Sequence, residues 1–182
     1  MPRKNPDAGL IGGSLERRLE HSRVPPLDLP FVLAPLRREV DRARLEDFRA
    51  HAELHVEIGF GRPHYLCEFT AANPEKGLLG FEIKRRWCQA AAGRCQREGI
   101  TNARIIEGDA RAYLAQWKDD SCVSGFHILF PDPWWKKRHH KRRLFNQDFL
   151  ALAKRLLVPG GCIVFRTDVA PYAEQVQEAV EI

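Results

Sequence analysis

Residues 54–63 read LHVEIGFGRP: an apolar run carrying Glu57 leads straight into Gly59 and Gly61, and a proline follows. The run suits a buried strand, the two glycines suit a tight turn, and Pro63 suits the first turn of a helix, where its missing N–H costs nothing. Strand, glycine turn and helix in succession open a βαβ unit. The pattern then recurs along the chain. Leu54–Gly59, Leu78–Ile83, Ala103–Glu107, Ser124–Phe130 and Cys162–Thr167 read as strands, and helical patterns fall near 64–72, 84–98, 110–117, 146–157 and from about 171 onward. Pro159-Gly160-Gly161 reads as a helix-stop turn before the last strand. The expectation is an α/β fold: a parallel sheet with helices on both faces, joined by right-handed crossovers. Ligands of such sheets bind in the crevice beyond the carboxyl ends of the strands.

The flanks and composition bound the rest. The 182 residues suffice for one ordinary domain and a tail. Residues 1–35 hold many Pro, Gly and Arg without a period and are expected to form a flexible N-terminal arm, with 36–182 as the folded domain. Leu36, Val40, Ala43 and Phe48 suggest a modest amphipathic helix over 36–50. No apolar run approaches the ~18 residues of a membrane span. Met1–Gly12 lacks the apolar centre of a signal peptide, so a cytoplasmic protein without membrane contact is expected. Five cysteines, at irregular spacings and with no C-x-x-C pair, argue for small buried residues in a reducing compartment, not for disulfides or a bound metal.

Net charge is +5, yet KKRHHKRR at 136–143 holds six of the 29 Lys and Arg, leaving 23 positive against 24 negative charges elsewhere. A near-neutral body with one concentrated cationic strip is what a polyanion-binding surface requires.

The strand ends carry the chemistry. Gly59 and Gly61 allow a close backbone approach to a ligand, and the helix that follows offers N–H groups to an anion. A plain tight turn uses the same glycines, and a dinucleotide fingerprint would want glycine where His64 stands. Glu82, about 20 residues after the turn, is placed to accept from ribose hydroxyls. Asp109 can cap the next helix or accept from an adenine amino group. This set fits a nucleoside cofactor, either a nicotinamide dinucleotide or S-adenosylmethionine. The fourth strand ends in FPDPWW at 130–135. Two prolines stiffen the loop and fix Asp132 at the mouth of the crevice. One of Trp134 and Trp135 is expected in the core, and either could stack on a base ahead of the phosphate-suited run. Asp168 brings a second carboxylate after the fifth strand, whereas His127 lies inside a strand and reads as structural.

EIGFG, GFEI, GDA, FPDPWWKKRHHKRR, LLVPGG and TDVAPYAE, in that order, closely resemble the bacterial tRNA (guanine-N7)-methyltransferase family over about residues 54–182. The resemblance implies a Rossmann-like class I methyltransferase with strand order 3-2-1-4-5, dependent on S-adenosylmethionine and acting on N7 of guanine 46 in the tRNA variable loop. It implies cofactor contacts at Glu57, Gly59, Gly61, Glu82, Asp109 and Asp132, and catalysis at Asp132. It implies tRNA contacts at Lys136, Arg138, His139, His140, Lys141, Arg142, Arg143 and Asp168. A monomer or weak homodimer is expected. The sequence departs from the family pattern in three places: Pro63 stands where a third glycine is usual, Val169-Ala170 replace an aromatic and an acid, and the two last strands with their T-K-F-E segment do not follow Ile182. The last departure predicts an open edge at the fifth strand and a final helix exposing Tyr172, Val176 and Val180, hence a fragment or a protein covered by association, with lower stability or weaker RNA affinity. Competing expectations are a methyltransferase for a small molecule, a non-catalytic RNA-binding remnant, and, weakest, a nicotinamide oxidoreductase.

Overall fold

The computed structural model describes residues 32–33, 48, 53–135, 138–139 and 143–180. The strands are β1 (Val32–Leu33), β2 (Glu53–Ile58), β3 (Lys76–Glu82), β4 (Ala103–Glu107), β5 (Val123–Leu129) and β6 (Leu157–Arg166). The helices are α1 (His64–Ala72), α2 (Arg85–Glu98), α3 (Ala110–Leu114), α4 (Gln147–Leu156) and α5 (Ala170–Val180). The strands form one sheet ordered β1-β4-β3-β2-β5-β6, with every pairing parallel. The order 3-2-1-4-5 expected for the five main strands is therefore found, with β1 added beside β4. Val32 and Leu33 lie within the stretch expected to be an arm, and they pair with Ile105 and Ile106. Residues 1–31 lie outside the described residues. So does the helix expected over 36–50, except for Phe48, which is buried under the Arg104 guanidinium.

β2 is buried along almost its whole length, as a central strand covered on both faces must be. Two apolar clusters lie on opposite faces. One gathers Val56, Leu79, Phe81 and Phe126 with Phe149 and Leu156 of α4 and Tyr172 of α5. The other joins Leu78 and Ile105 to Leu66 and Cys67 of α1 and to Cys88, Ala91, Ala92 and Cys95 of α2. The small residues on α2 recur at i, i+3, i+4 and i+7, so one narrow stripe seats the helix closely on the sheet. Gly80 is needed for the same closeness, since a Cβ there would meet Leu66 Cδ1 at 2.5 Å. Gly99 ends α2 in the left-handed conformation at φ 67°. Asn146 starts α4 by accepting from the Phe149 amide at 2.9 Å, a cap worth about 1 kcal/mol.

Several details differ from expectation. β6 begins at Leu157, directly after α4, and its register against β5 shifts between Val123 and Gly125. Pro159-Gly160-Gly161 is thus an irregularity inside the strand, with Gly160 at φ 81°, and not a turn before it. On α5, Tyr172 and Val176 are buried in the first cluster, and only Val180 is exposed. The helix turns this side of itself onto Phe165, whose ring lies 5.3 Å from that of Tyr172, so β6 and the 143–149 segment cover what was expected to be bare. Cys67, Cys88 and Cys95 are buried as expected, but Cys122 is half-buried and Cys162 exposed.

Candidate active site

The carboxyl ends of β2 to β6 bring the sequence-marked residues along one edge of the sheet. Gly59 and Gly61 both take positive φ, 74° and 53°, and none of the described residues lies within 4 Å of a Cβ built on either. The turn is therefore open on its outer side, as a backbone cradle for a ligand requires. Its inner side is pinned: the Gly59 amide donates to Phe81 O at 2.8 Å, and the Gly61 amide donates to Glu82 Oε2 at 3.0 Å. Glu82 Oε1 accepts from the Lys84 amide at 2.8 Å. The acid expected to meet a ribose thus also braces the glycine turn.

Glu57 is buried, with Oε2 unpartnered among the described residues. Burial raises its pKa to about 8, with the neighbouring Cys67 adding to the rise. A buried carboxyl without a partner is costly unless something supplies a cation or a donor. Asp109 caps α3 by accepting from the Arg111 amide at 3.0 Å and pairs with the Arg111 guanidinium at 2.9 Å. Burial would push its pKa up, but the bonds from Arg111 outweigh this and hold it below the ordinary value.

The loop after β5 is the unusual feature. Phe130 and Trp134, which bracket Pro131-Asp132-Pro133, both take positive φ, 51° and 47°. Each costs about 1–2 kcal/mol for a residue with a Cβ, and such strain persists only where the surroundings hold it. The Phe130 amide donates to Arg166 O at 2.7 Å, tying the loop to the end of β6. Asp132 is exposed, as is Asp168 after β6. Because Leu129 pairs with Arg166, the two acids leave adjacent strands at the same edge. Neither tryptophan of the loop is in the core: Trp134 is half-buried with its ring 5.8 Å from that of His139, and Trp135 is 71% exposed.

Of the cationic run, Lys136, Lys137, His140, Lys141 and Arg142 lie outside the described residues. Arg138 is exposed and His139 half-buried. Arg143, for which a phosphate contact was expected, lies largely inside the fold. It is only 6% exposed, donates from Nε to Pro133 O at 2.8 Å and from Nη1 to Gln175 Oε1, and lies 4.7 Å over the Tyr172 ring. A guanidinium enclosed in this way turns its donors inward.

Sequence reasoning missed a chain of side-chain hydrogen bonds linking β2, β5 and α1. His55 Nδ1 and His127 Nε2 are 2.9 Å apart, and Tyr65 Oη is 2.8 Å from His127 Nδ1. His127 was expected to be structural, and burial, aided by His55, drops its pKa to about 4, so it is neutral. The available signal was that His55 and His127 occupy inward positions of two strands that must pair in a 3-2-1-4-5 sheet.

A parallel sheet of this order, with a glycine turn after its central strand and acids at the ends of the next two, is a Rossmann-like fold suited to a nucleoside cofactor. Residues 51–182 match the profile of a family described as "Putative methyltransferase". The chain belongs to the tRNA (guanine-N7)-methyltransferase family. It is 42% identical over 130 residues to the tRNA (guanine-N(7)-)-methyltransferase of Nitrosococcus oceani, covering 71% of this chain and 55% of that protein. With the enzyme of that name from Pseudomonas fluorescens strain Pf0-1 it shares 34% identity over 175 residues, covering 96% and 70%. The chain thus spans between about half and seven tenths of the length of these curated relatives. Among solved structures it is similar to precorrin 8w decarboxylase of Methanobacterium thermoautotrophicum (TM-score 0.54, 16% identity, 79% and 70% covered). It is similar also to a 30S ribosomal A1408 methyltransferase from an uncultured bacterium (TM-score 0.53, 19% identity, 79% and 75% covered). At such identities the fold alone is shared.

Proposed function

We propose that this chain transfers a methyl group from S-adenosylmethionine to N7 of a guanine in tRNA, at position 46 of the variable loop. The observation that carries the reading is the open glycine turn beside an unpartnered buried acid, next to the strained loop that presents Asp132. The curated relatives named as tRNA (guanine-N(7)-)-methyltransferases support it.

The residues suit the cofactor. Glu57 Oε2 lacks a partner, and an ammonium group would supply one. The space over Gly59 and Gly61 admits a ligand against the backbone, and the first turn of α1, which has no side-chain cap, offers N–H groups to a carboxylate. Glu82 and Asp109 remain acceptors for ribose hydroxyls and an adenine amino group. When bound, S-adenosylmethionine supplies a methyl group carried on a sulfonium.

The chain's own part is placement. Guanine N7 holds a free lone pair, so no residue has to remove a proton. Asp132 accepts from the guanine N1–H and amino group, turning N7 toward the crevice and holding it at reacting distance. Its fixed carboxylate also stabilises the positive charge that moves onto the purine. Asp168 assists from the adjacent strand. Lys136, Arg138, His139, His140, Lys141 and Arg142 grip phosphates, and the target base leaves its stack to be reached.

Incubation with labelled S-adenosylmethionine and unmodified tRNA, followed by nucleoside analysis, tests the reading. Labelled 7-methylguanosine at position 46 is expected. Label in another nucleoside, or none in RNA, would overturn it.

A further inference from the structure

We propose that Arg143 is a positioning residue for Asp132, not part of the RNA grip to which its sequence neighbours belong. The inference rests on the role given to Asp132 above. Arg143 closes the cationic run in sequence, yet in the fold it crosses from the surface to the interior. Its Nε donates to the carbonyl of Pro133, the residue after Asp132, at 2.8 Å. Its Nη1 donates to Gln175 on α5, and its guanidinium plane lies over Tyr172 one turn earlier on the same helix. One side chain therefore joins the loop to a helix packed in the larger core.

The geometry of the loop explains why such a tie is needed. Phe130 and Trp134 sit in the left-handed region on either side of the two prolines, a conformation that relaxes unless it is held. The Phe130 amide on Arg166 O anchors the entry to the loop, and Arg143 anchors it beyond Asp132. Asp132 itself is exposed and makes no hydrogen bond or ion pair among the described residues, so the loop backbone sets its direction. Arginine suits this position because its planar fork spans two acceptors on different elements while stacking on a ring, which lysine cannot do.

The test uses Arg143→Gln and Gln175→Ala, the second removing only the far anchor. Three quantities are measured on the full chain: kcat against KM for tRNA, the salt dependence of tRNA binding, and amide exchange at Phe130, Asp132, Trp134 and Trp135. For Arg143→Gln a fall in kcat of about tenfold or more is expected, with a smaller fall for Gln175→Ala. KM for tRNA and the salt slope should match the parent. The loop amides should exchange about tenfold faster in Arg143→Gln, while those of β2 and β3 stay as they were. Parent-like loop exchange, or intact kcat with a salt slope lowered by about one, overturns the proposal and returns Arg143 to the phosphate-binding set. If Arg143→Gln does not fold, loop exchange in Gln175→Ala decides. A parent chain that methylates no tRNA sinks the proposed function, while the exchange measurement still decides the clamp.

Discussion

The amide of Gly61 donates to the carboxylate of Glu82 at 3.0 Å, so the acid at the end of β3 holds the turn that follows β2. The same carboxylate takes the Lys84 amide at 2.8 Å. Glu82→Ala leaves two partly exposed N–H groups without their acceptor, each costing about 1 kcal/mol. Urea unfolding should show that loss, and calorimetry should show cofactor affinity falling with it. Glu82→Gln keeps one acceptor oxygen and should fall between. A variant that loses affinity at parental stability would mean the acid serves the ligand alone.

Glu57 should make stability and cofactor binding respond to pH in opposite directions. A free glutamate titrates near 4.5, and burial raises this one to about 8. Across that window the native state keeps a proton that the unfolded chain has released. Stability from this group is therefore complete below the unfolded value and falls as pH rises toward 8, by up to about 1.4 kcal/mol per pH unit. Glu57→Gln should remove that fall and be the more stable protein at pH 8. Binding of an ammonium group needs the ionised form, so affinity should climb from pH 6 to 8 in the parent and stay flat and weak in Glu57→Gln. Parallel profiles for the two proteins would contradict this assignment.

Asp132→Asn keeps the shape of the loop and replaces one acceptor oxygen by a donor. Turnover should drop by about 100-fold or more, the loss expected when a base is no longer held for attack. Cofactor affinity measured by calorimetry should change little. Near-normal turnover would remove Asp132 from the mechanism.

Arg138 is exposed in the cationic run. Arg138→Gln should weaken tRNA binding and reduce the slope of log affinity against log salt by about one, as loss of a single phosphate contact does. Binding titrations from low to moderate salt measure it. An unchanged slope would place the grip on the rest of the run.

Tyr172 has no exposed surface. Tyr172→Ala should cost about 3–5 kcal/mol, the usual cost of emptying an aromatic site in a core. Thermal and urea unfolding would report it. A cost below about 1 kcal/mol would mean that α5 is loosely attached.

What the sequence disclosed followed from local pattern. The glycine turn, the strand runs and the acids at their ends each announce themselves within a few residues, and the rule that ligands gather at strand termini assembled them. The motif that carries Asp132 is short and contiguous, so it too was legible. What stayed hidden depends on distant partners. Nothing separates Arg143 from Arg142 in the text, because the difference is made by Gln175 and Tyr172 on a later helix. His55 and His127 meet only because β2 and β5 pair across the sheet. Tyr172 and Val176 were expected at the surface because the rings of Phe145 and Phe165, which cover that side of α5, come from elements whose approach the pattern does not encode. The bulge in β6 was misread for the opposite reason: Pro-Gly-Gly is a strong local stop signal, and pairing with β5 overrides it.

The pairing of Val32 with Ile105 sets an order on assembly. β2 and β3 are close in sequence and can dock as soon as both have left the ribosome. Val32 emerges earlier than either, yet its place is at the far side of β4. It must wait, unmatched, until Ile105 and Ile106 have been made. Among the described strands, the first to be synthesised thus stays without its neighbour until β4 has been made, and substitutions that slow β4 lengthen that interval.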